Sequence, residues 1–311
     1  MSVNFSTETL QASTQWLLEC PVLLDHQQHP ALLASALPPS VRPAMGDLKS
    51  NLDALLGDLQ EKRHHLLGVY YETLWQAIFR HLPDTRVISS NRQVQSGKRT
   101  VGEFDLIYYC GTRKTYVHRE MAVKFYLGLP GTDSLAGWFG PGLEDRFDHK
   151  VERLLHHQSV LSQTIEGRHS LEALGITAII SETLLQGCLF YPFENSITAP
   201  DLLSDNHLRG DWLTTSALDH YANSKQINAV SHLNKHQWIT PPLNGHTSQV
   251  NTTHVHTVDW LRMNAASLFE QYRGPVMLAG LTVKDDEYRE ISRFFLVPDD
   301  WEDQAHLRFN Q

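Results

Sequence analysis

A mixed α/β fold is predicted by the order in which helical and strand-like patterns follow one another along this 311-residue chain. A long helical pattern comes first, then three strand-like stretches, then a second helical pattern, in residues 48–82, 86–94, 101–109, 116–127 and 143–161. We therefore expect a central mixed sheet flanked by helices, with further α+β elements beyond residue 200.

Composition divides the chain into three segments. Residues 1–47 hold a short helical pattern at 9–20 and then five prolines, which predicts an irregular segment that wraps around its neighbours. Residues 48–199 carry the alternating helices and strands of an α/β core. Residues 200–311 are expected to be a C-terminal α+β lobe or an extension packed on the core.

Further elements are expected after the core helix. Two hairpins are predicted, one with a turn at Gln186 and Gly187, and helical patterns are seen as well; the segments are 176–193, 214–238, 258–272, 276–284 and 290–297. Trp138, Phe139 and Trp212 lie in glycine-rich or polar surroundings, and we expect them to be exposed.

The two central strands form a predicted hairpin. Residues 101–109 and 116–127 are rich in β-branched and aromatic residues, and a polar turn containing Gly111 separates them. Side chains alternate between the two faces of a strand, so residues two apart share a face. The hairpin therefore determines which polar side chains meet.

Three acidic side chains and one lysine are directed at a common space by this alternation. Glu103 and Asp105 share a face of the first strand, and Glu120 and Lys124 share a face of the second. Glu72, beside the apolar stripe of the preceding helix, faces the same strands if that helix packs on them. A carboxylate cluster with a nearby amine is the result.

Two interpretations of this cluster remain open. Mg²⁺ prefers hard oxygen ligands, usually one or two carboxylates with water and phosphate, and a nearby lysine can position water or stabilise phosphodiester charge. The alternative is a solvated sheet face with cross-strand ion pairs, each contributing at most about 1 kcal/mol. Residue spacing alone does not choose between them.

Net charge and cysteine content limit which partners and which cellular compartment we expect. The net charge of −9 argues against a protein that coats nucleic acid non-specifically, although Arg92, Lys98 and Arg99 offer a local supply of phosphate contacts. Three separated cysteines, no signal-peptide pattern and no long apolar run lead us to expect a cytoplasmic protein without membrane contact. Nucleic acid and protein partners both remain open.

The order of these acids along the chain resembles the core of the PD-(D/E)XK nucleases. The resemblance rests on Glu72, on Gly-Glu-Phe-Asp ending at Asp105, and on the strand that carries Glu120 and Lys124. It implies a restriction-endonuclease-like core in which Asp105 and Glu120 bind Mg²⁺ or Mn²⁺, Lys124 orients the attacking water and Glu72 is the helix acid. Glu103 would be a further metal ligand.

The chain is also similar, over roughly residues 100–300, to the bacterial proteins of unknown function designated DUF1853. The segments that carry this similarity are 102–105, 120–127, 140–143, 189–192, 207–210 and 292–297, together with Asp145, Lys150 and Gln158. That family brings no established activity with it, and its fold is thought to be similar to that of the nuclease superfamily.

One departure from the nuclease pattern bears on catalysis. The nuclease acid stands two residues before the lysine, where this chain has Ala122, and Glu120 stands four residues before Lys124. Because a strand rises about 3.3 Å per residue, the Cα separation grows from roughly 7 Å to roughly 13 Å. Glu120 then acts with a displaced lysine, Lys150 supplies the amine instead, or the site is degenerate.

The leading hypothesis is a magnesium-dependent nuclease-like enzyme that hydrolyses phosphodiesters in DNA or RNA. The alternative hypothesis is a catalytically degenerate member of the same fold that serves as a binding or scaffold module, with exposed tryptophan or phenylalanine side chains as its partner surface. An unrelated hydrolase finds no support, since the chain has no G-x-S-x-G and no H-E-x-x-H motif.

Overall fold

The computed structural model describes residues 7–37, 66–242, 255–284 and 287–310. The chain divides into two compact units. The first comprises residues 1–123, 150–187 and 202–206, and the second comprises 124–149, 188–201 and 207–311. The expected boundary at residue 47 lies outside the described residues, and the three-segment division stays a prediction.

The described residues form seven α-helices and ten strands. The helices are α1 Thr7–Glu19, α2 Leu67–His81, α3 Phe147–Arg153, α4 Ile165–Glu172, α5 Leu218–Lys225, α6 Val258–Tyr272 and α7 Trp301–Phe309. The strands are β1 Thr85–Ser96, β2 Arg99–Cys110, β3 Thr115–Gly128, β4 Trp138–Phe139, β5 Ile179–Pro192, β6 Leu208–Thr214, β7 Ala229–His232, β8 Val255–Thr257, β9 Val276–Lys284 and β10 Glu287–Val297.

The first unit is built on strands in the order β1-β2-β3-β5. The predicted hairpin of the two central strands is confirmed: β2 and β3 pair antiparallel, with Leu106 opposite Arg119. Helix α2 packs against β1. A buried apolar cluster of this unit includes Val94 of β1, Phe104 of β2 and Leu161. The two strands that carry the predicted acids are thus held in register within a packed core.

The second unit contains a mixed sheet in the order β5-β6-β10-β9-β7-β8. The neighbours β5, β6 and β10 are parallel, whereas β10, β9, β7 and β8 pair antiparallel. Helices α5 and α6 bury their apolar faces on this sheet, around Tyr221, Leu261 and Phe294. The predicted mixed α/β fold, with a mixed sheet flanked by helices, is confirmed.

The predicted hairpin at residues 176–193 is wrong, because β5 is one continuous strand. Gly187 has a φ of 145° but does not turn the chain back. Gln186 is fully buried and its side chain explains why the strand continues. Its Nε2 donates to the carbonyls of Leu17 and Cys20 at 2.9 and 2.8 Å, and its Oε1 accepts from the Tyr71 hydroxyl at 2.8 Å. A polar residue that suggested a turn is instead a buried hydrogen-bonding centre.

Two helical predictions are too long. The pattern at 214–238 yields one α-helix, α5, which ends where Gln226 adopts a left-handed conformation; β7 follows, and short 3-10 helices lie at Thr215–Ala217 and Lys235–Ile239. The pattern at 143–161 yields α3 and then a π-helical turn at Leu154–Gln158. The helical pattern at 258–272 is confirmed as α6, and the last hairpin is confirmed as β9 and β10.

The three aromatic residues that were expected to be exposed are buried. Trp138 and Phe139 form β4, and the Trp138 ring contacts the Tyr191 ring at 5.0 Å between centroids. Trp212 lies in β6, and its indole nitrogen donates to the carbonyl of Gly128 at 2.9 Å. These residues are buried although their neighbours in the sequence are polar or glycine. A partner surface made of these three side chains is therefore excluded.

No helix in the described ranges has both the length and the apolar character that a membrane crossing needs.

Replacing Gln186 by leucine should destabilise the protein by about 2–4 kcal/mol, because three buried polar groups lose their partner at once. The free energy of unfolding, measured by urea denaturation, checks this. Gln163→Leu is the matched control, since Gln163 is exposed in the same unit. Equal effects of the two substitutions would show that the buried hydrogen bonds contribute little.

Candidate functional site

The predicted acids of the first unit come from three elements. Glu72 lies on α2, Glu103 and Asp105 lie on β2, and Glu120 lies on β3. The register that sets Leu106 opposite Arg119 brings the preceding residue, Asp105, towards the following residue, Glu120. Strand pairing thus accounts for the meeting of two carboxyl groups that are 15 residues apart in the sequence.

Asp105 and Glu120 form a buried carboxyl pair, only 8% and 0% exposed. Asp105 Oδ2 accepts a hydrogen bond from the backbone nitrogen of Met121 at 2.9 Å. Glu120 Oε2 accepts from Gln158 Nε2 at 2.7 Å, and its Oε1 lies 2.7 Å from His118 Nε2. Three hydrogen bonds therefore fix the positions of the two carboxyl groups.

The pKa values of this pair are strongly raised. Burial is the largest cause of the rise in the pKa of Asp105 to about 8, and the nearby charge of Glu120 adds to it. Burial likewise raises the pKa of Glu120 to about 8, against the opposing influence of Lys150. Both groups are thus short of positive charge, which is the condition that a bound cation relieves.

Asn91 joins the other two acids. Its Nδ2 lies within hydrogen-bond distance of Glu72 Oε2 at 3.4 Å and Glu103 Oε1 at 3.2 Å. Gln76 Nε2 in turn donates to Asn91 Oδ1 at 2.7 Å. The pKa of Glu72 is raised to about 7, mainly by burial and also by the charge of Asp105. The charge of the buried pair therefore influences the protonation of Glu72.

Lys150 is the amine associated with these acids. It lies on α3, and its Nζ donates to Gln158 Oε1 at 3.2 Å, while the amide nitrogen of the same glutamine binds Glu120. Its positive charge opposes the rise in the pKa of Glu72, Asp105 and Glu120. Gln158 ends the π-helical turn, a feature often found at functional sites.

Lys124, the lysine of the nuclease resemblance, belongs to the second unit. Its Nζ is ion-paired with Asp145 Oδ2 in that unit. Of the predicted phosphate contacts, Lys98 and Arg99 are exposed beside the turn between β1 and β2, and Arg92 Nε donates to Ser170 Oγ at 2.9 Å. The structure thus associates Lys150, and not Lys124, with the acids by explicit contacts.

Four polar residues around the acids were not assigned a role from the sequence: Gln76, Asn91, His118 and Gln158. His118 is fully buried, and its ring packs edge-on against Phe104 at 4.6 Å between centroids. Its alternation with Glu120 in β3 is the sequence signal that could have identified it. Asn91 has a φ of 49° within β1, a conformation that no pattern in the sequence indicates.

The residues of the first unit offer a small set of oxygen ligands for Mg²⁺. Across the described ranges, no group of three or more His, Cys, Asp or Glu side chains is arranged to hold a metal ion. Mg²⁺ needs less than that, because it usually keeps several waters and takes only one or two carboxylates. Asp105 and Glu120 fit this smaller donor set, since both are oxygen ligands with raised pKa values.

The raised pKa values predict that the metal-free protein loses stability as the pH rises. The unfolded carboxyl groups ionise at about pH 4 and the folded ones only at about pH 8, so the free energy of unfolding should fall by several kcal/mol between about pH 5 and 8 and level off above that. Denaturant titrations in EDTA measure this. Glu120→Gln, which removes the charge, should flatten the profile. A variant profile as steep as that of the wild type would contradict the assignment.

Comparison with known proteins identifies a family for this chain. The sequence profile of the family described as Domain of unknown function (DUF1853) matches residues 13–297. No curated protein and no solved structure is significantly similar to the chain. The family match covers most of the sequence, including every residue of the site described above, and the chain therefore belongs to the DUF1853 family.

Proposed function

We propose that the protein is a nuclease-like enzyme that uses Mg²⁺, or Mn²⁺ in its place, to hydrolyse phosphodiester bonds in DNA or RNA. The observation that carries the proposal is the buried Asp105–Glu120 pair, whose pKa values are raised and whose neighbour is Lys150. Strongly perturbed pKa values of buried acids beside a specific charge partner cluster at functional sites.

Asp105 and Glu120 would hold the cation through their carboxylate oxygens. A bound divalent ion supplies Lewis-acid stabilisation of a phosphoryl oxygen and lowers the pKa of a bound water. The hydrogen bonds from Met121 and Gln158, and the contact of Glu120 with His118, keep the two carboxylates in place, so that little reorganisation accompanies binding.

Lys150 would orient the attacking water or stabilise negative charge on the phosphate. Its ammonium group is positioned by Gln158, which also binds Glu120, so one side chain fixes both the amine and the acid. Because Lys124 is ion-paired with Asp145, Lys150 is the better candidate for this role. Its place on the helix after β3 differs from the acid-x-Lys arrangement of the resembled nucleases.

Glu72 would accept the proton of the water. A general base acts best when its pKa lies near the working pH, and the pKa of Glu72 is about 7. The contact of Asn91 with its Oε2 would keep the carboxylate directed towards the acids of β2. Lys98 and Arg99, exposed beside the turn of the β1–β2 hairpin, would contact phosphates along the bound strand.

The arrangement of elements supports a restriction-endonuclease-like core. An acid on a helix, an acid on each of two antiparallel strands and an amine on the next helix follow one another in α2, β2, β3 and α3. The three free cysteines of the described residues are in keeping with a reducing compartment, and we place the enzyme in the cytoplasm.

A second candidate function is nucleic-acid or protein binding without catalysis. It is favoured by Ala122 at the position of the usual acid and by the finding that the described residues hold no three-residue metal group. In that case the buried carboxyl pair would be protonated at neutral pH and would serve the fold alone. The two functions differ in a single observable, the cleavage of a phosphodiester.

Cleavage of labelled single- and double-stranded DNA and RNA is expected with Mg²⁺ or Mn²⁺ and not with EDTA. Asp105→Asn, Glu120→Gln and Lys150→Met should each lower the rate about 100-fold or more, because each removes a group from the reacting centre. Gel-based rate measurements on protein of matched purity check this.

Lys124→Met is the matched control for Lys150→Met. We expect it to retain most of the activity, because it removes only a partly exposed ion pair with Asp145. The Lys150 assignment would be refuted by the reverse pattern, in which Lys124→Met is inactive and Lys150→Met is not. Absence of cleavage of all four substrates would favour the binding function instead.

A further inference from the structure

The second unit contains a cavity of about 480 Å³ that the proposed hydrolysis does not use. Its volume lies within the range of small-molecule sites, roughly 300–1,000 Å³. The cavity lies between β7, the turn that follows it and helix α6, and its apolar floor includes Val230 and Leu278 from the buried core.

Two parallel ring pairs line this cavity. The His256 and Trp260 rings are stacked with 3.6 Å between centroids and 12° between planes. The His232 and Tyr272 rings are stacked with 4.1 Å between centroids and 22° between planes. Flat aromatic surfaces of this kind favour a flat aromatic ligand, because stacking gains dispersion and quadrupole interactions that an aliphatic ligand does not offer.

Apart from His232 and His256, the polar groups of the lining are uncharged. Side chains of Ser231, Asn234, Gln237 and Gln271 reach the cavity, and none of the described lining residues is Lys, Arg, Asp or Glu. Hydroxyl and amide groups both donate and accept hydrogen bonds. The cavity therefore suits a neutral ligand that carries donors and acceptors at the edge of an aromatic ring.

The wall that carries Asn234 and Gln237 is fixed in advance. Asn234 Oδ1 accepts from the backbone nitrogen of Gln237, and Gln237 Oε1 accepts from the backbone nitrogen of Asn234, which forms a reciprocal cap. Arg293, ion-paired with Glu290 at 2.7 Å, donates to the carbonyls of this turn, including that of Thr240 at 3.0 Å. A pre-formed wall lowers the entropy lost on binding.

We infer that this cavity binds a nucleobase, either in a free nucleoside or nucleotide or as an unpaired base of a nucleic acid strand. Stacking between aromatic side chains with amide hydrogen bonds at the ring edge is the physical basis of unpaired-base recognition. The inference is independent of hydrolysis, because no residue of the carboxyl cluster takes part.

The test is isothermal titration calorimetry of the full chain. EDTA is present and the protein carries Glu120→Gln, so that no strand is cleaved. The ligands are adenosine, guanosine, cytidine and uridine, followed by ten-residue oligo(dA) and an abasic strand of the same length. Saturable binding is expected for a nucleoside or for oligo(dA) and not for the abasic strand. His256→Ala and Tyr272→Ala should each weaken that binding about tenfold or more. Tyr272 is 45% exposed, so its replacement should leave the fold intact.

His220→Ala is the matched control, since His220 is an exposed histidine of the same unit that packs on Phe193 outside the cavity. Binding of nucleosides alone would identify a free nucleotide as the ligand, and binding of oligo(dA) alone would identify a base within a strand. The inference is overturned if nothing binds saturably, or if the two cavity variants bind as the wild type and His220→Ala do. Melting curves show whether each variant is folded.

Discussion

The antiparallel pairing of β2 with β3 is the constraint on which the site depends. That pairing brings the carboxyl groups of Asp105 and Glu120 together inside the first unit, where water cannot screen them. A shift of the register by one residue would turn every side chain of one strand to the other face. The apolar side chains of the same strands, such as Phe104 and Ile107, therefore hold the acids in place by resisting that shift.

A second buried acid in the same unit shows how differently a carboxylate can be accommodated. Burial would raise the pKa of Glu182, but the guanidinium of Arg119 at 2.6 Å, the hydroxyl of Tyr108 and the nearby Arg113 lower it below its usual value. Arg119 also donates to the carbonyl of Ala36 at 2.9 Å, so this network connects separate segments. The charge of Glu182 is compensated by two arginines, whereas Asp105 and Glu120 lack comparable compensation and keep raised pKa values.

The strands of the hairpin and the shared faces of their acids could be predicted because alternation is a local property of the sequence. The role of Gln158 could not, since it depends on a π-helical turn and on the packing of that turn beside Glu120. Gln186 misled the prediction because a buried glutamine with three partners looks, in sequence, like a turn residue. The prediction that Trp212 is exposed was wrong because its sequence neighbours Arg209 and Asp211 are polar while its own ring is buried. Local sequence patterns predict helices and strands well, but they do not predict hydrogen bonds between residues far apart in the sequence.

The central claim is that the Asp105–Glu120 pair binds a divalent cation, and calorimetric titration of the purified protein with Mg²⁺ and Mn²⁺ tests it most directly. We expect saturable binding at pH of about 8.5, where the pair is largely ionised, and no binding by Asp105→Asn or Glu120→Gln. Asp145→Asn is the control, because it changes an acid of the second unit outside the pair and should bind as the wild type does. Wild-type protein that binds neither ion, with or without an oligonucleotide present, would contradict the account.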